Sequence, residues 1–566
     1  MSAGGDALSA EALYARGRFA EAAAQALREL ADDANGWRAR LVLSAMARDQ
    51  GDFTGAIGHA QTAWEHAPDN PAAAIALAEL LRNRGRADEA AAVLDRTIAL
   101  CPENADLHNH LGLALRHACR PGQALAAFRQ GARLDPANRW AETNMAFGLL
   151  RDPDDQAPET FAPLGTAGAA PEIGLGIFCD RFPHTYGFLL QQYTTLLRHF
   201  PDARAYSFGR RVFAPYATQQ FTDALAQYAE TNGDVAARVH PLRPLLVPPS
   251  PAEVRSVRLQ AEAFRRPRLA YTQFAMNADL FRPLFDSLGI PFAFTLNPGG
   301  GFRLDNAYSD DRLRRVFQSP WFRHVIVTYS RTRDYVLDRF GVPPDKVTLI
   351  QGTIVLESLL QAHRRPKRRH GVDKPTLDVC FAGLRYSPTG ADKGYDRFIA
   401  AAHLLAGRFD HLRFHVVGDF DAKVVDVRAL GERIVFHGVR DQRWMAGFFS
   451  GMDAIVSPNA ADQLACGAFD GFPVTTCIEA GMCGVAVFAT DPMGLNEALV
   501  PDQQVVIVDG EPSRLAEQLA HWLGDPQRLY ALAAAGERRF RDHWGESAQM
   551  TPRIALLERL LRAEGG

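Results

Sequence analysis

Small and apolar residues recur along the first 150 positions with a period of 34. Ala22, Ala56, Ala90 and Ala124 stand 34 apart. Leu43, Leu77 and Leu111 form a second column, each followed by a small residue, Ser44, Ala78 and Gly112. Gly17, Gly51 and Gly85 form a third, with Cys119 next in line. Pro68, Pro102 and Pro136 form a fourth, with Ala34 ahead of them. This pattern predicts two helices per unit. Small residues let the paired helices approach closely, the Gly column ends the first helix, and the Pro column follows the second. One such unit cannot bury its apolar face alone, so units stack. Residues 151–172 lack a period and are rich in Pro, Gly, Ala and acids, which reads as a linker. Beyond it, short apolar runs alternate with helical stretches, the pattern of an α/β sheet.

The repeat over about residues 3–150 resembles the tetratricopeptide repeat, with four units and part of a fifth around Trp140 and Ala146. Ala34 departs from the Pro column and Cys119 from the Gly column, so the first unit is expected to be a worn cap. The resemblance implies a concave groove that takes peptides or partner proteins, although such an array can also serve dimerisation or rigidity. Asn109 and Asn144 fall on first helices and are candidates to clamp a partner's backbone.

In the next part, strands are expected at 174–179, 268–274, 291–296, 324–329 and 346–350, with a helix at 188–200. A basic run, HRRPKRRHG at 363–371, interrupts the order. Six further strands are expected, at 377–383, 413–418, 434–438, 453–458, 485–490 and 504–508. The chain thus reads as two Rossmann-like halves, with a ligand cleft between the carboxyl ends of their strands.

Composition narrows the function. The 62 Lys and Arg against 65 Asp and Glu give a net charge of -3, which excludes a whole-chain electrostatic grip on nucleic acid. The basic run is therefore read as a solvated interdomain linker. The seven Cys are scattered, without close C-x-x-C spacing, so neither a disulfide framework nor structural zinc is expected. The N-terminus has no apolar signal-peptide core, and no apolar stretch of about 18 residues is present, so no membrane span and a cytoplasmic location are expected.

The second half carries the strongest chemistry. Its first strand ends in Gly383-Leu384-Arg385, and Lys393-Gly394 precedes a helix from Tyr395. Two cations beside free backbone N–H groups and the positive end of a helix dipole suit a diphosphate. Further on, Glu479 opens a helix rich in small residues, where a cleft-facing carboxylate could accept both hydroxyls of a ribose. Gly471, Phe472 and Pro473 form a loop whose N–H groups could face phosphate. Taken with Val416-Val417-Gly418, Val435-Phe436-His437-Gly438, Ser457-Pro458, Asp470-Gly471-Phe472-Pro473, Glu479-Ala480 and Gly484-Val485, this order resembles the GT-B glycosyltransferases, above all glycosyltransferase family 4. The resemblance implies that the second half binds a nucleotide-sugar. Arg385 and Lys393 would neutralise its diphosphate, and Glu479 would hold the ribose. The family has two acids separated by seven residues. Here Gly471 stands at the earlier position and Asp470 one residue before it, so either the loop is longer by one residue or the first acid is absent. In the family that acid touches the transferred sugar.

The first half adds Asn297-Pro298-Gly299-Gly300-Gly301-Phe302 after a buried strand, with Gly300 and Gly301 as candidates to let a ligand or the facing domain approach. This stretch resembles the N-terminal half of bacterial sugar transferases. The family often places a His after this strand. Asn297 stands there instead, as a cleft or acceptor-side residue without an acid–base role. In the loop after the first strand, Asp180 and His184 are candidate bases for an acceptor hydroxyl.

The expected architecture is a multi-domain α plus α/β chain. It comprises a helical repeat solenoid at 1–150, a linker at 151–172, an acceptor-side domain at 173–360, a basic linker at 361–375 and a nucleotide-sugar domain with C-terminal helices at 376–566. The expected activity is glycosyl transfer to an acceptor, with a protein hydroxyl recruited by the repeats as the first reading. That joining of parts resembles protein O-glycosylating enzymes, including bacterial flagellin glycosyltransferases. A surface-polysaccharide transferase and an inactive scaffold are the alternatives. No metal and no cofactor beyond the sugar-nucleotide co-substrate are expected, and the resemblance implies a retaining course.

Overall fold

The structure is a computed structural model. It describes residues 8–137, 139–151, 160–166, 168–183, 187–208, 218–247, 256–261, 264–423 and 425–565. His184 lies outside the described residues. Helices Ala10–Ala15 and Phe19–Asp32 form the first pair, Trp37–Asp49 and Phe53–His66 the second, Pro71–Asn83 and Ala87–Leu100 the third, and Ala105–His117 and Pro121–Leu134 the fourth. A single helix, Arg139–Arg151, follows. The alanine column is buried between the paired helices. At Gly112, even a Cβ would overlap the Phe128 ring. Gly17, Gly51 and Gly85 turn the chain with φ of 72°, 80° and 79°, and Cys119 holds the same left-handed turn at 60° without being glycine.

The first α/β domain is a seven-stranded parallel sheet. Its strands are β1 (Ile173–Cys179), β2 (Arg204–Ser207), β3 (Val239–Pro241), β6 (Pro267–Gln273), β7 (Phe292–Leu296), β8 (Phe322–Val327) and β9 (Val347–Leu349), in the order β3-β2-β1-β6-β7-β8-β9. Between β3 and β6 the chain adds a separate antiparallel pair, β4 (Arg243–Val247) and β5 (Ser256–Gln260). The second domain holds β10 (Leu377–Ala382), β11 (Leu412–Val417), β12 (Ile434–Phe436), β13 (Ala454–Ser457), β14 (Ala486–Ala489) and β15 (Val506–Ile507), in the order β12-β11-β10-β13-β14-β15. Strand order reverses beside β1 in one sheet and beside β10 in the other, so loops diverge there and leave a crevice. In register, Ile177 of β1 lies between Ala205 and Tyr271, and Val379 of β10 lies between Phe414 and Ala454.

Two expectations need correction. The last helix, Glu546–Ala563, does not close the second domain. It crosses back, burying Met550, Leu556 and Leu557 in one cluster with Leu175, Ile177 and Leu269 of the first. Its Arg553 donates to the Gly352 carbonyl at 3.1 Å and Gln549 to the Gln351 carbonyl at 2.8 Å. The basic run is not a solvated linker either. Arg364 pairs with Glu537 at 2.7 Å, Lys367 donates to the Phe449 carbonyl at 3.1 Å, and the His370 N–H donates to Tyr530 Oη at 2.7 Å. Arg364 and Lys367 are thus held by the second domain, while Arg365, Arg368 and Arg369 stay exposed. Of the 151–172 segment, the described Phe161 and Leu164 are buried in the core.

The repeats are docked along both α/β domains. Arg151, at the end of the last repeat helix, pairs with Asp279 at 2.9 Å, with both side chains fully buried. Successive repeat turns touch the second domain: a Cβ at Gly17 would meet the Lys423 carbonyl at 2.7 Å, the Asp49 carbonyl accepts from Thr389 Oγ1 at 3.0 Å, and the Asn83 carbonyl accepts from the Cys466 N–H at 2.8 Å. The fourth turn reaches the first domain, with Cys119 Sγ 3.8 Å from the Ala307 carbonyl. Among the described residues no helix is long and apolar enough to cross a membrane.

Candidate functional site

Strand β10 ends in a loop that wraps back before the helix Tyr395–Ala406. Asp392 braces that loop by accepting from the Ser387 N–H at 3.1 Å and from Ser387 Oγ at 2.6 Å. Gly394 caps the helix with φ of 70°, and a Cβ there would overlap the Pro458 carbonyl, so loop and β13 exit are pressed together. The helix start has no side-chain cap. Arg385 is exposed on the same loop, its guanidinium donating to the Pro388 carbonyl at 3.0 Å. Lys393 is directed across to the exit of β13.

There Lys393 Nζ meets Asp470 Oδ2 at 2.6 Å. Burial works against the ammonium, but the Asp470 charge and hydrogen bond outweigh it and hold the Lys393 pKa above its ordinary value. Asn459 also donates to Asp470 Oδ2, at 3.0 Å. The loop thus delivers Asp470 to the cation despite its offset in sequence. Gly471 and Phe472 follow directly. A Cβ at Gly471 would overlap the Tyr329 hydroxyl of the facing domain, so glycine is what allows this close approach.

Glu479 lies on the helix Thr475–Met482, whose start also lacks a side-chain cap. It is buried, and burial pushes its pKa up to about 7. Gln442 donates to Glu479 Oε1 at 2.5 Å, Gln191 of the first domain donates to Gln442 Oε1 at 2.6 Å, and the Leu356 N–H donates to Gln191 at 2.9 Å. This relay ties the carboxylate to the opposite domain.

The facing loops come from β1 and β7. Asp180 is buried and its carboxyl pKa is raised by burial, with Asn277 donating at 3.2 Å. Asn297 is buried and donates to Gln273 Oε1 at 3.2 Å. Gly300 and Gly301 both have positive φ, and the space beside them is taken by Phe274 and Arg312 of their own domain. The domains also join directly: the Leu304 N–H donates to the Gly467 carbonyl at 3.0 Å, and Ser330 Oγ donates to Glu497 at 2.8 Å. Asn109 and Asn144 pair with each other at 3.0 Å, both buried, rather than lying free along the groove.

The structure therefore assembles Lys393, Asp470, Gly471, Phe472 and Gly394 at one edge of the cleft. Glu479 sits on the neighbouring helix, and Asp180 and Asn297 lie on the opposite side. Asn459, Tyr329, Gln442 and Gln191 join the site unannounced by any motif, although Asn459 directly follows the Ser457-Pro458 pair. Uncapped helix starts, a lysine and a buried carboxylate at carboxyl strand ends can hold a phosphorylated, hydroxyl-bearing ligand.

Comparison with known proteins agrees with this geometry. Residues 377–525 match the family model described as glycosyl transferases group 1. Residues 8–71 and 47–112 match two tetratricopeptide repeat models. The D-inositol 3-phosphate glycosyltransferase of Thermobispora bispora is 25% identical over 259 residues, covering 42% of this chain and 57% of that protein. Its counterpart in Pseudarthrobacter chlorophenolicus is 25% identical over 239 residues, covering 40% and 54%. The chain thus spans little more than half the length of these curated relatives. Among solved structures, Anabaena Alr3699/HepE in complex with UDP is 14% identical with a TM-score of 0.49, over 68% of this chain and 99% of that one. Residues 8–112 thus match tetratricopeptide repeats, and residues 377–525, in the second of two facing parallel-sheet domains, match the group 1 glycosyl transferases.

Proposed function

We propose that the chain moves a sugar from a nucleotide-sugar donor to an acceptor hydroxyl, and that the acceptor is a protein, of which flagellin is one example, brought in by the repeats. The observation that carries this is the Lys393–Asp470 pair beside buried Glu479, in a segment that matches the group 1 family model. In this reading Lys393 and Arg385 neutralise the diphosphate, the uncapped helix starts at Tyr395 and Thr475 add N–H groups, and Glu479 accepts the ribose hydroxyls. Asp470 faces the transferred sugar.

The bond from the sugar's anomeric carbon to the phosphate oxygen breaks, and its electron pair stays on the phosphate. The acceptor oxygen bonds that carbon on the same face, and its proton passes to the departing phosphate oxygen. Configuration is retained, and the step uses neither a metal nor a protein nucleophile. The growing charge on the diphosphate is stabilised by cations held in place beforehand, each contributing about 1.5–3 kcal/mol. Asp180 orients the acceptor. The relatives named as D-inositol 3-phosphate glycosyltransferases are in accord with glycosyl transfer to a hydroxyl.

The test is thermal shift of the full chain with UDP-, GDP-, CMP- and TDP-linked sugars, repeated on Lys393→Ala and Glu479→Ala. A donor that binds the native state raises the melting temperature. The expected result is one nucleotide class that stabilises the wild type and neither variant. A shift retained in both variants, or none with any donor, would overturn the proposal.

A further inference from the structure

The repeats wall a second cavity, which Asp180 of the first α/β domain also lines. It has a volume of about 330 Å³ and lies between the fourth and fifth repeat units and the first α/β domain. Arg116 and Asn144 line it from the repeats, and Asp180, Arg303, Tyr308 and Arg312 from the other side. Arg312 is committed to Asp279 at 3.3 Å and to the Gly301 carbonyl at 2.8 Å. Arg116 and Arg303 are not. Arg116 packs over the Phe128 and Phe147 rings, reaches Asn144 only at 3.5 Å, and has a buried Nε with no acceptor. Among the described residues no acid pairs with Arg303. Burial and the neighbouring Arg312, Arg82 and Arg84 push its pKa down to about 10.

Tyr308 reports the same field. Burial opposes its phenolate, yet Arg151, Arg312 and Arg116 pull its pKa down to about 7. At the far end Asp180, only 5% exposed, keeps a buried Oδ2 with no hydrogen-bond partner and only Arg181 at 3.6 Å. Tyr308 offsets this cluster of guanidinium groups only in part, since burial and neighbouring arginines still hold Arg116 and Arg303 below their ordinary values, and a bound anion relieves the remaining cost. The fork of a guanidinium matches a carboxylate or phosphate with two hydrogen bonds.

We infer that this cavity is the acceptor pocket, and that it takes an acceptor carrying a carboxylate or phosphate close to its reacting hydroxyl. The anion sits on Arg116 and Arg303, and the hydroxyl faces Asp180. This rests on the transferase reading above and deepens it. The repeat array contributes a specificity-determining residue, Arg116, directly to the site, rather than only gathering the acceptor at a distance. An acidic residue beside a Ser or Thr and a phosphate beside a sugar hydroxyl present the same chemistry.

The experiment uses the full chain, with inorganic phosphate as the probe, at constant ionic strength against chloride. Phosphate is expected to raise the melting temperature of the wild type. Arg116→Gln combined with Arg303→Gln should weaken that response at least about tenfold, as expected for losing charge-assisted bonds of about 1.5–3 kcal/mol. Arg303→Gln alone, at a partly buried position, decides the matter if the double variant fails to fold. Arg116→Lys should restore part of the response. The donor response should persist in all three. No effect of phosphate on the wild type, or an undiminished effect in the variants, overturns the pocket. A phosphate response in a chain that binds no sugar-nucleotide overturns the transferase reading, and the acceptor role with it. With an active donor, Arg116→Gln should raise the acceptor KM about tenfold and leave the donor KM unchanged. An acidic Ser/Thr peptide and a sugar phosphate then identify which source of anion is used. A KM shift equal for a neutral acceptor overturns the assignment.

Discussion

Replacing Glu479 by Gln should stabilise the empty protein while abolishing donor binding. Glu479 is buried, and burial raises its pKa from 4.5 to about 7. Below pH 4.5 the carboxyl is protonated in both folded and unfolded chains, and burial costs nothing. Between pH 4.5 and 7 the unfolded chain releases the proton while the native chain keeps it, so native stability falls as pH rises. Above pH 7 the loss is complete. The gap is worth about 3 kcal/mol at about 1.4 kcal/mol per unit. Gln is neutral throughout and keeps a carbonyl oxygen for the Gln442 donor, which now lies 2.5 Å from Glu479. The variant should therefore match the wild type near pH 4.5 and exceed it by about 3 kcal/mol at pH 8. Urea unfolding at pH 4.5, 6 and 8 measures this, followed by tryptophan fluorescence, to which Trp522 of the second domain's core contributes. A difference that does not grow with pH would refute the reasoning. In the proposed reading ribose hydroxyls donate to the ionised carboxylate, so donor affinity of the wild type should fall as pH drops below about 7.

Two further outcomes follow from the same geometry. Asp279 is fully buried among Arg151, Arg312 and Arg315, so Asp279→Leu alone should cost about 3–5 kcal/mol by leaving buried cations unpaired, and adding Arg151→Met should recover part of it, read from melting curves of the three chains. Gly394→Ala should lower stability by more than about 1 kcal/mol and weaken donor affinity, because its φ of 70° disfavours a side chain and the new Cβ would push the Lys393 loop off Pro458; unchanged donor titration would contradict the placement of that loop.

What the sequence shows well is what packing dictates locally. The alanine column is legible because each member sits where two helices touch, and any larger side chain would force them apart. Cys119 shows that the backbone conformation, not the glycine itself, is what the column records. Strands β2 and β3 escape notice because Arg204–Ser207 and Val239–Pro241 are too short and too mixed in polarity to show a period. The last helix buries Gln549 and Arg553 along with Met550, Leu556 and Leu557, so its pattern does not name the surface it covers, and here that surface belongs to the other domain. The basic run looks solvated because its partners Phe449, Tyr530 and Glu537 lie 82 or more residues away. Lys393 and Glu479 are visible through local spacing. Gln191 and Gln442 meet only after both domains have folded, so no window of sequence holds them together.

The same limit conceals the role of the repeats. Read as a string, they form a separate module joined by a linker, and a separate module suggests a tethered recruiting arm. The folded chain argues otherwise. Arg151 and Cys119 fix the array to the first α/β domain, and Asp49 and Asn83 fix it to the second. An array held at both ends spans the cleft, so the two domains cannot separate without bending it or breaking those contacts. Each unit packs on its neighbours, so small rotations between units add up to the curvature of the whole array. Anything that changes its curvature must therefore act on the spacing between Glu479 and Asp180, which stand on opposite domains. Under the proposed reading, docking the repeats along both domains places acceptor choice and cleft geometry under one mechanical element.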